Sequence, residues 1–131
     1  MNNDVSIYEA SMDDCSQLYY WFNEEDSIKN KLITNKKISF DNHKKWFEEK
    51  LNQPNTFIWI IQDKLGYKIG QIRFQLVKDK FYDVDIYIIK PLRGEGIASI
   101  AMKLAQKYSN VYPLRAIVKK SNKKSYSFFI R

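Results

Sequence analysis

The run Asp83-Val84-Asp85-Ile86-Tyr87-Ile88-Ile89-Lys90-Pro91-Leu92-Arg93-Gly94-Glu95-Gly96-Ile97-Ala98 constrains this chain more than any other stretch. It predicts a β-strand, a glycine-bearing turn and the first turn of a helix. Behind it, Ile97, Ile100, Ala101, Leu104, Ala105 and Tyr108 recur at helical spacing, with Lys103, Gln106 and Lys107 on the opposite face. Two glycines let the backbone pass close to a ligand, and the first N–H groups of a helix have no partner within it. The helix dipole adds partial positive charge there, so the junction suits a phosphate. A P-loop would need Gly-Lys-Ser/Thr, which Gly96-Ile97-Ala98 lacks. A dinucleotide fingerprint would need a third glycine in a parallel βαβ unit, and neither is evident.

At 131 residues, a single domain spanning 1–131 is expected. The longest apolar run, Phe57 to Ile61, is too short to cross a bilayer, and Met1 to Asp14 has no secretory apolar segment. A lone cysteine, Cys15, favours a reducing compartment, so a cytoplasmic location is expected. The net charge of +7 calls for an anionic partner or for solvated lysine faces. The lysines are scattered rather than massed, so a basic groove for a phosphorylated cofactor and a nucleotide-linked substrate accounts for them. Neither a nucleic acid nor a membrane partner is expected, and no His/Cys/carboxylate group has metal spacing.

Val5 to Ala10 alternates as a first strand, and Ser11-x-x-Asp14 is a capping box. Cys15, Leu18, Tyr19 and Phe22 form the apolar stripe of a helix ending near Asn23, which makes Cys15 a core residue. Residues 24–38 show no clear period and read as a loop or short helix. Ser39 caps a second helix with the stripe Phe40, His43 or Lys44, Phe47 and Leu51, stopped by Gln53-Pro54-Asn55. Thr56 to Ile61, Lys68 to Val77 and Phe81 to Ile89 form an antiparallel meander. The central helix, a strand from Leu114 to Lys119 and a last helix from Ser121 to Phe129 follow. The order β, α, α, β, β, β, α, β, α is an α+β pattern, with two parallel neighbours inside a mainly antiparallel sheet.

The loop Arg93-x-x-Gly96-x-Ala98 resembles the Gln/Arg-x-x-Gly-x-Gly/Ala pyrophosphate loop of the GNAT N-acetyltransferase superfamily, and the element order matches that family up to the final helix. Trp21-x-Asn23, His43-x-x-Trp46-Phe47, Ile69-Gly70-Gln71-Ile72-Arg73-Phe74 and Asn122-x-x-Ser125 are similar to its amino-sugar-nucleotide branch. That branch acetylates amines of UDP-linked deoxysugars; ribosomal-protein N-acetyltransferases share part of the pattern.

The resemblance implies acetyl-CoA as donor, with its pyrophosphate on N–H groups of Arg93, Gly94, Glu95, Gly96, Ile97, Ala98 and Ser99. Ile86, Ile88 and Ile89 would offer backbone groups to the pantetheine arm, and Asn122 would complete the cofactor site. Trp21, Asn23, His43, Trp46 and Arg73 would contact the acceptor. In the family a tyrosine seven residues after the asparagine is thought to protonate the leaving thiolate. Here that position is Phe129, leaving Tyr126 one helical turn earlier, or water. The family also continues into a terminal pair of strands, whereas this chain stops at Arg131; an open sheet edge would then invite a homodimer.

The amine must lose a proton before it attacks. Asp83 and Asp85 share a strand face with Tyr87, and either is a candidate base; the alternative is a polar face with ion pairs. An amine with a pKa of about 8 asks less of that base than a lysine near 10.4. The expected activity is acetyl-CoA-dependent N-acetylation of an amino-sugar nucleotide by direct attack. The alternatives are acetylation of a protein amino terminus and a non-catalytic acyl-CoA-binding module.

Overall fold

The computed structural model describes residues 4–24, 38–78, 80–111 and the backbone of 114–116. Five strands form one sheet in the order of the chain: β1 (Ser6–Glu9), β2 (Thr56–Gln62), β3 (Lys68–Val77), β4 (Phe81–Ile88) and β5 (Leu114–Ala116). The first four are antiparallel neighbours, whereas β5 runs parallel to β4 through Tyr82↔Leu114 and Val84↔Ala116. The parallel pair needs a crossover, which α3 (Ile97–Ser109) supplies. The α+β pattern read from the sequence is therefore the fold. The strand expected through Lys119 is described only to Ala116, and the last helix lies outside the described residues.

The sheet's period of two sends its side chains into two cores. Trp59, Ile61, Ile72, Phe74, Val84 and Ile88 pack against Ile97, Ala101, Met102 and Ala105 of α3. Ile58, Ile60 and Tyr87 point the other way, onto Cys15, Leu18 and Trp21 of α1 (Cys15–Phe22) and Phe47 of α2 (Phe40–Leu51). Ser11 and Asp14 form the expected capping box, with Ser11 N donating to Asp14 Oδ2 at 3.0 Å. Asp14 also accepts from Lys68 Nζ at 2.9 Å and the Tyr8 hydroxyl at 3.0 Å, which fastens the helix entry to β1 and β3. Ser39 accepts from Asn42 N at 3.2 Å and starts α2 as read. No helix among the described residues is long and apolar enough to cross a membrane.

Candidate active site

β4 hands over to α3 through a 3-10 turn, Lys90–Leu92, and the two glycines. Gly94 (φ 84°) and Gly96 (φ 82°) both lie in the left-handed region, where a Cβ costs about 1–2 kcal/mol. Nothing stands within 4 Å of where either Cβ would be, so the loop presents bare backbone to open space. The first helical bond runs from Ile100 N to Gly96 O (3.2 Å), which leaves the N–H groups of Ile97, Ala98 and Ser99 without a partner inside the helix. No acidic residue sits in that first turn. The cradle fits a pyrophosphate.

Arg93 departs from its expected role. Its N–H donates to Lys90 O at 3.3 Å, and its Nε donates to Ile88 O at 2.7 Å. Its guanidinium lies 5.3 Å from the centre of the Tyr87 ring. Arg93 thus clamps the loop to the end of β4, and the cradle runs from Gly94 onward. Ile89 is corrected in the same way: its N–H donates to Ile69 O at 2.9 Å and belongs to the β3 ladder. Strand alternation then turns the backbone groups of Ile86 and Ile88 away from β3, toward the side where β5 is described only as far as Ala116.

The α1/α2 face carries the polar residues. Tyr87 packs against Arg93 and against Trp21, whose ring centre is 5.3 Å away, and its hydroxyl donates to Glu24 Oε1. Burial and the Glu24 carboxylate push the Tyr87 phenol well above its usual range, so it stays protonated. Asp83 and Asp85 share this face with Tyr87, as read from the sequence. Asp85, with 53% of its side chain exposed, accepts from Gln71 Nε2 at 2.9 Å and stands 3.9 Å from the Arg73 guanidinium. Arg73 in turn lies 5.1 Å from the centre of the Trp46 ring.

Two expected acceptor contacts occupy structural positions instead. His43 is 1% exposed, stacked on Phe47, and its ring nitrogen Nε2 is 3.1 Å from Cys15 O. A carbonyl only accepts, so the proton sits on Nε2 and the residue ties α2 to α1. Asn23 donates to Tyr19 O at 3.1 Å and Ile38 O at 3.3 Å and accepts from Ile38 N at 2.9 Å. It joins the end of α1 to the start of α2. Trp21 is 3% exposed and acts as a core ring behind Tyr87, while Trp46 is half-buried. Cys15 is buried as expected, and burial raises its thiol. Asn122, Tyr126 and Phe129 lie outside the described residues. Glu24 was not singled out in the sequence, because it opens a stretch without periodicity; nothing local marks it.

Residues 5–131 match the family model described as acetyltransferase (GNAT) domain. The chain belongs to that family. The donor in GNAT acetyltransferases is acetyl-CoA. A search of curated protein sequences finds no significant match. Among solved structures, the spermidine N-acetyltransferase of Vibrio cholerae in complex with CoA and spermine superposes with a TM-score of 0.81 at 16% identity. The match covers 95% of this chain and 76% of that one. A domain from Methanocaldococcus jannaschii gives 0.77 at 20% identity, over 92% and 81% of the two chains. A ribosomal-protein α-N-acetyltransferase in complex with coenzyme A gives 0.76 at 10% identity, over 94% and 75%. At these identities the likeness is one of fold.

Proposed function

We propose that this GNAT acetyltransferase acetylates the amine of a nucleotide-linked amino sugar in the cytoplasm, with Asp85 as the base. The observation that carries the proposal is the run Asp85–Arg73–Trp46 along one face: a half-exposed carboxylate, a cation 3.9 Å from it, and an aromatic ring 5.1 Å beyond that cation. Such a row supplies a proton acceptor for the amine, a charge for a phosphate and a flat surface for a sugar or base. The motifs shared with the amino-sugar-nucleotide branch support the same reading.

When bound, acetyl-CoA supplies an activated acetyl group. The residues of this chain do the rest. The N–H groups from Gly94 to Ser99 hold the pyrophosphate, with Asn122 completing the site. The backbone of Ile86 and the N–H of Ile88 orient the arm, the Ile88 carbonyl being held by Arg93. Asp85 takes the proton that the amine must shed, directly or through one water, and Asp83 stands next along the strand. Water or Tyr126 supplies the proton for the departing sulfur.

The test is thiol release from acetyl-CoA with three acceptors: a UDP-linked 4-amino sugar, spermidine and a peptide bearing a free amino terminus. The expected result is a kcat/KM at least about tenfold higher for the nucleotide sugar. Preference for spermidine or for the peptide overturns the acceptor. No turnover of any of them, alongside a melting point raised by acetyl-CoA, indicates binding without transfer to these acceptors.

A further inference from the structure

Gln71 sits in the middle of β3, wholly buried, and is one of two described residues with a buried side-chain polar atom that lacks a partner. Its Nε2 donates to Asp85 Oδ2 at 2.9 Å, while its Oε1 is the orphan. The amide cannot sensibly be turned round. An ionised carboxylate only accepts, so the NH2 end must face Asp85 and the oxygen must face the interior. An apolar residue of the same length would avoid this desolvation penalty altogether. A buried amide left half-satisfied next to a candidate base is the kind of local conflict that structures keep at functional sites.

We infer that Gln71 is a positioning residue: its amide grips one oxygen of Asp85 from inside the protein, leaving the rest of the carboxylate facing the open side for the incoming amine. This rests on the reading of Asp85 as base. Two β3 side chains approach the same Asp85 oxygen, Oδ2: Gln71 Nε2 at 2.9 Å and the Arg73 guanidinium at 3.9 Å. Also along this face stand Asp83 and Tyr87 on β4, Glu24 beyond α1, Arg93 against Tyr87, and Lys50 of α2, whose charge is felt by Arg73. Replacing Gln71 by an apolar residue of similar length removes its donor to Asp85 Oδ2.

The experiment titrates the Asp85 carboxyl carbon by NMR in the wild-type protein and in Gln71→Met, and measures kcat and KM on the acceptor that the wild type turns over, the UDP-linked amino sugar or spermidine. Loss of a donor to the charged form should raise the Asp85 midpoint by about half a pH unit or more. The melting point should be unchanged or higher. The kcat should fall about tenfold while the KM for acetyl-CoA holds, and Gln71→Met should cost nothing further in an Asp85→Asn background. An unmoved Asp85 midpoint overturns the inference, whatever the kinetics. Full turnover by Asp85→Asn instead overturns the base assignment of the proposed function, a result the NMR titration does not produce. Should Gln71→Met fail to fold, Gln71→Asn, one methylene too short to reach, gives the same titration readout.

Discussion

A Cβ placed on Gly70 would lie 2.1 Å from the carbonyl oxygen of Tyr87 and 3.2 Å from the Cα of Ile88. Both obstacles are backbone of β4, so no side chain can swing aside. Gly70 is therefore what lets the end of β4 lie close on β3, just where Tyr87 meets Arg93 and Trp21. Gly70→Ala should destabilise by about 3 kcal/mol, at the upper end for overpacking, and lower the urea midpoint accordingly. A change below about 0.5 kcal/mol would contradict this packing.

Gly96→Val should separate the loop's two demands. The left-handed φ of 82° makes valine strained, and its side chain would enter the open space over the helix start. Acetyl-CoA affinity by calorimetry should fall at least about tenfold, roughly 1.4 kcal/mol, alongside about 1–2 kcal/mol of stability lost. Undiminished affinity would place the cofactor elsewhere.

His43 holds helices together, so its removal should cost stability and spare turnover. His43→Ala empties a fully buried site and strips the Cys15 carbonyl of its donor, for about 2–4 kcal/mol. Below its melting point the variant should keep kcat and acceptor KM within about threefold of wild type. A raised acceptor KM with unchanged stability would instead make His43 a substrate contact.

Acid sensitivity should trace to Asp14. Burial disfavours its charge, but the Lys68 ammonium, the Ser11 N–H and the Tyr8 hydroxyl outweigh burial and hold the carboxyl below its usual range. A folded value lower than the unfolded one, about 3.9, means that the contribution is complete well above that pH and fades as pH falls through the folded value. Asp14→Asn should lower stability by about 2 kcal/mol at pH 7 and flatten the acid limb of the stability–pH curve. Equal losses at pH 7 and pH 3 would contradict this account.

The parts legible in the sequence are those with a period or a cap. Of the stripe Cys15, Leu18, Tyr19 and Phe22, the first two are buried and the others half-buried, with Trp21 buried beside them. The capping box at Ser11 and Asp14, the helix start at Ser39 and the meander from Thr56 hold in the structure. The glycine loop was legible because positive φ and an exposed helix start leave a mark on composition. Side-chain partners were not. Nothing local tells His43, which turns inward to a carbonyl, from Lys44, which stays exposed on the same helix. Nor does a motif reveal that Arg93 folds back onto Ile88, or that Asn23 reaches the backbone of Ile38 fifteen residues later. These are contacts between segments far apart in the chain, and only the packed fold chooses among them.

The two cores lie on opposite sides of the sheet, with the strands between them. The helix that begins at the glycine cradle packs into one, and the row of Asp85, Arg73 and Trp46 stands over the other. On the proposed assignment, mutations that reshape the amine row have the thickness of a sheet between them and the helix that starts at the glycine loop. On that assignment, a descendant of this chain that keeps Asp85 can change the amine it takes through Arg73 and Trp46 without touching the helix behind the glycine loop.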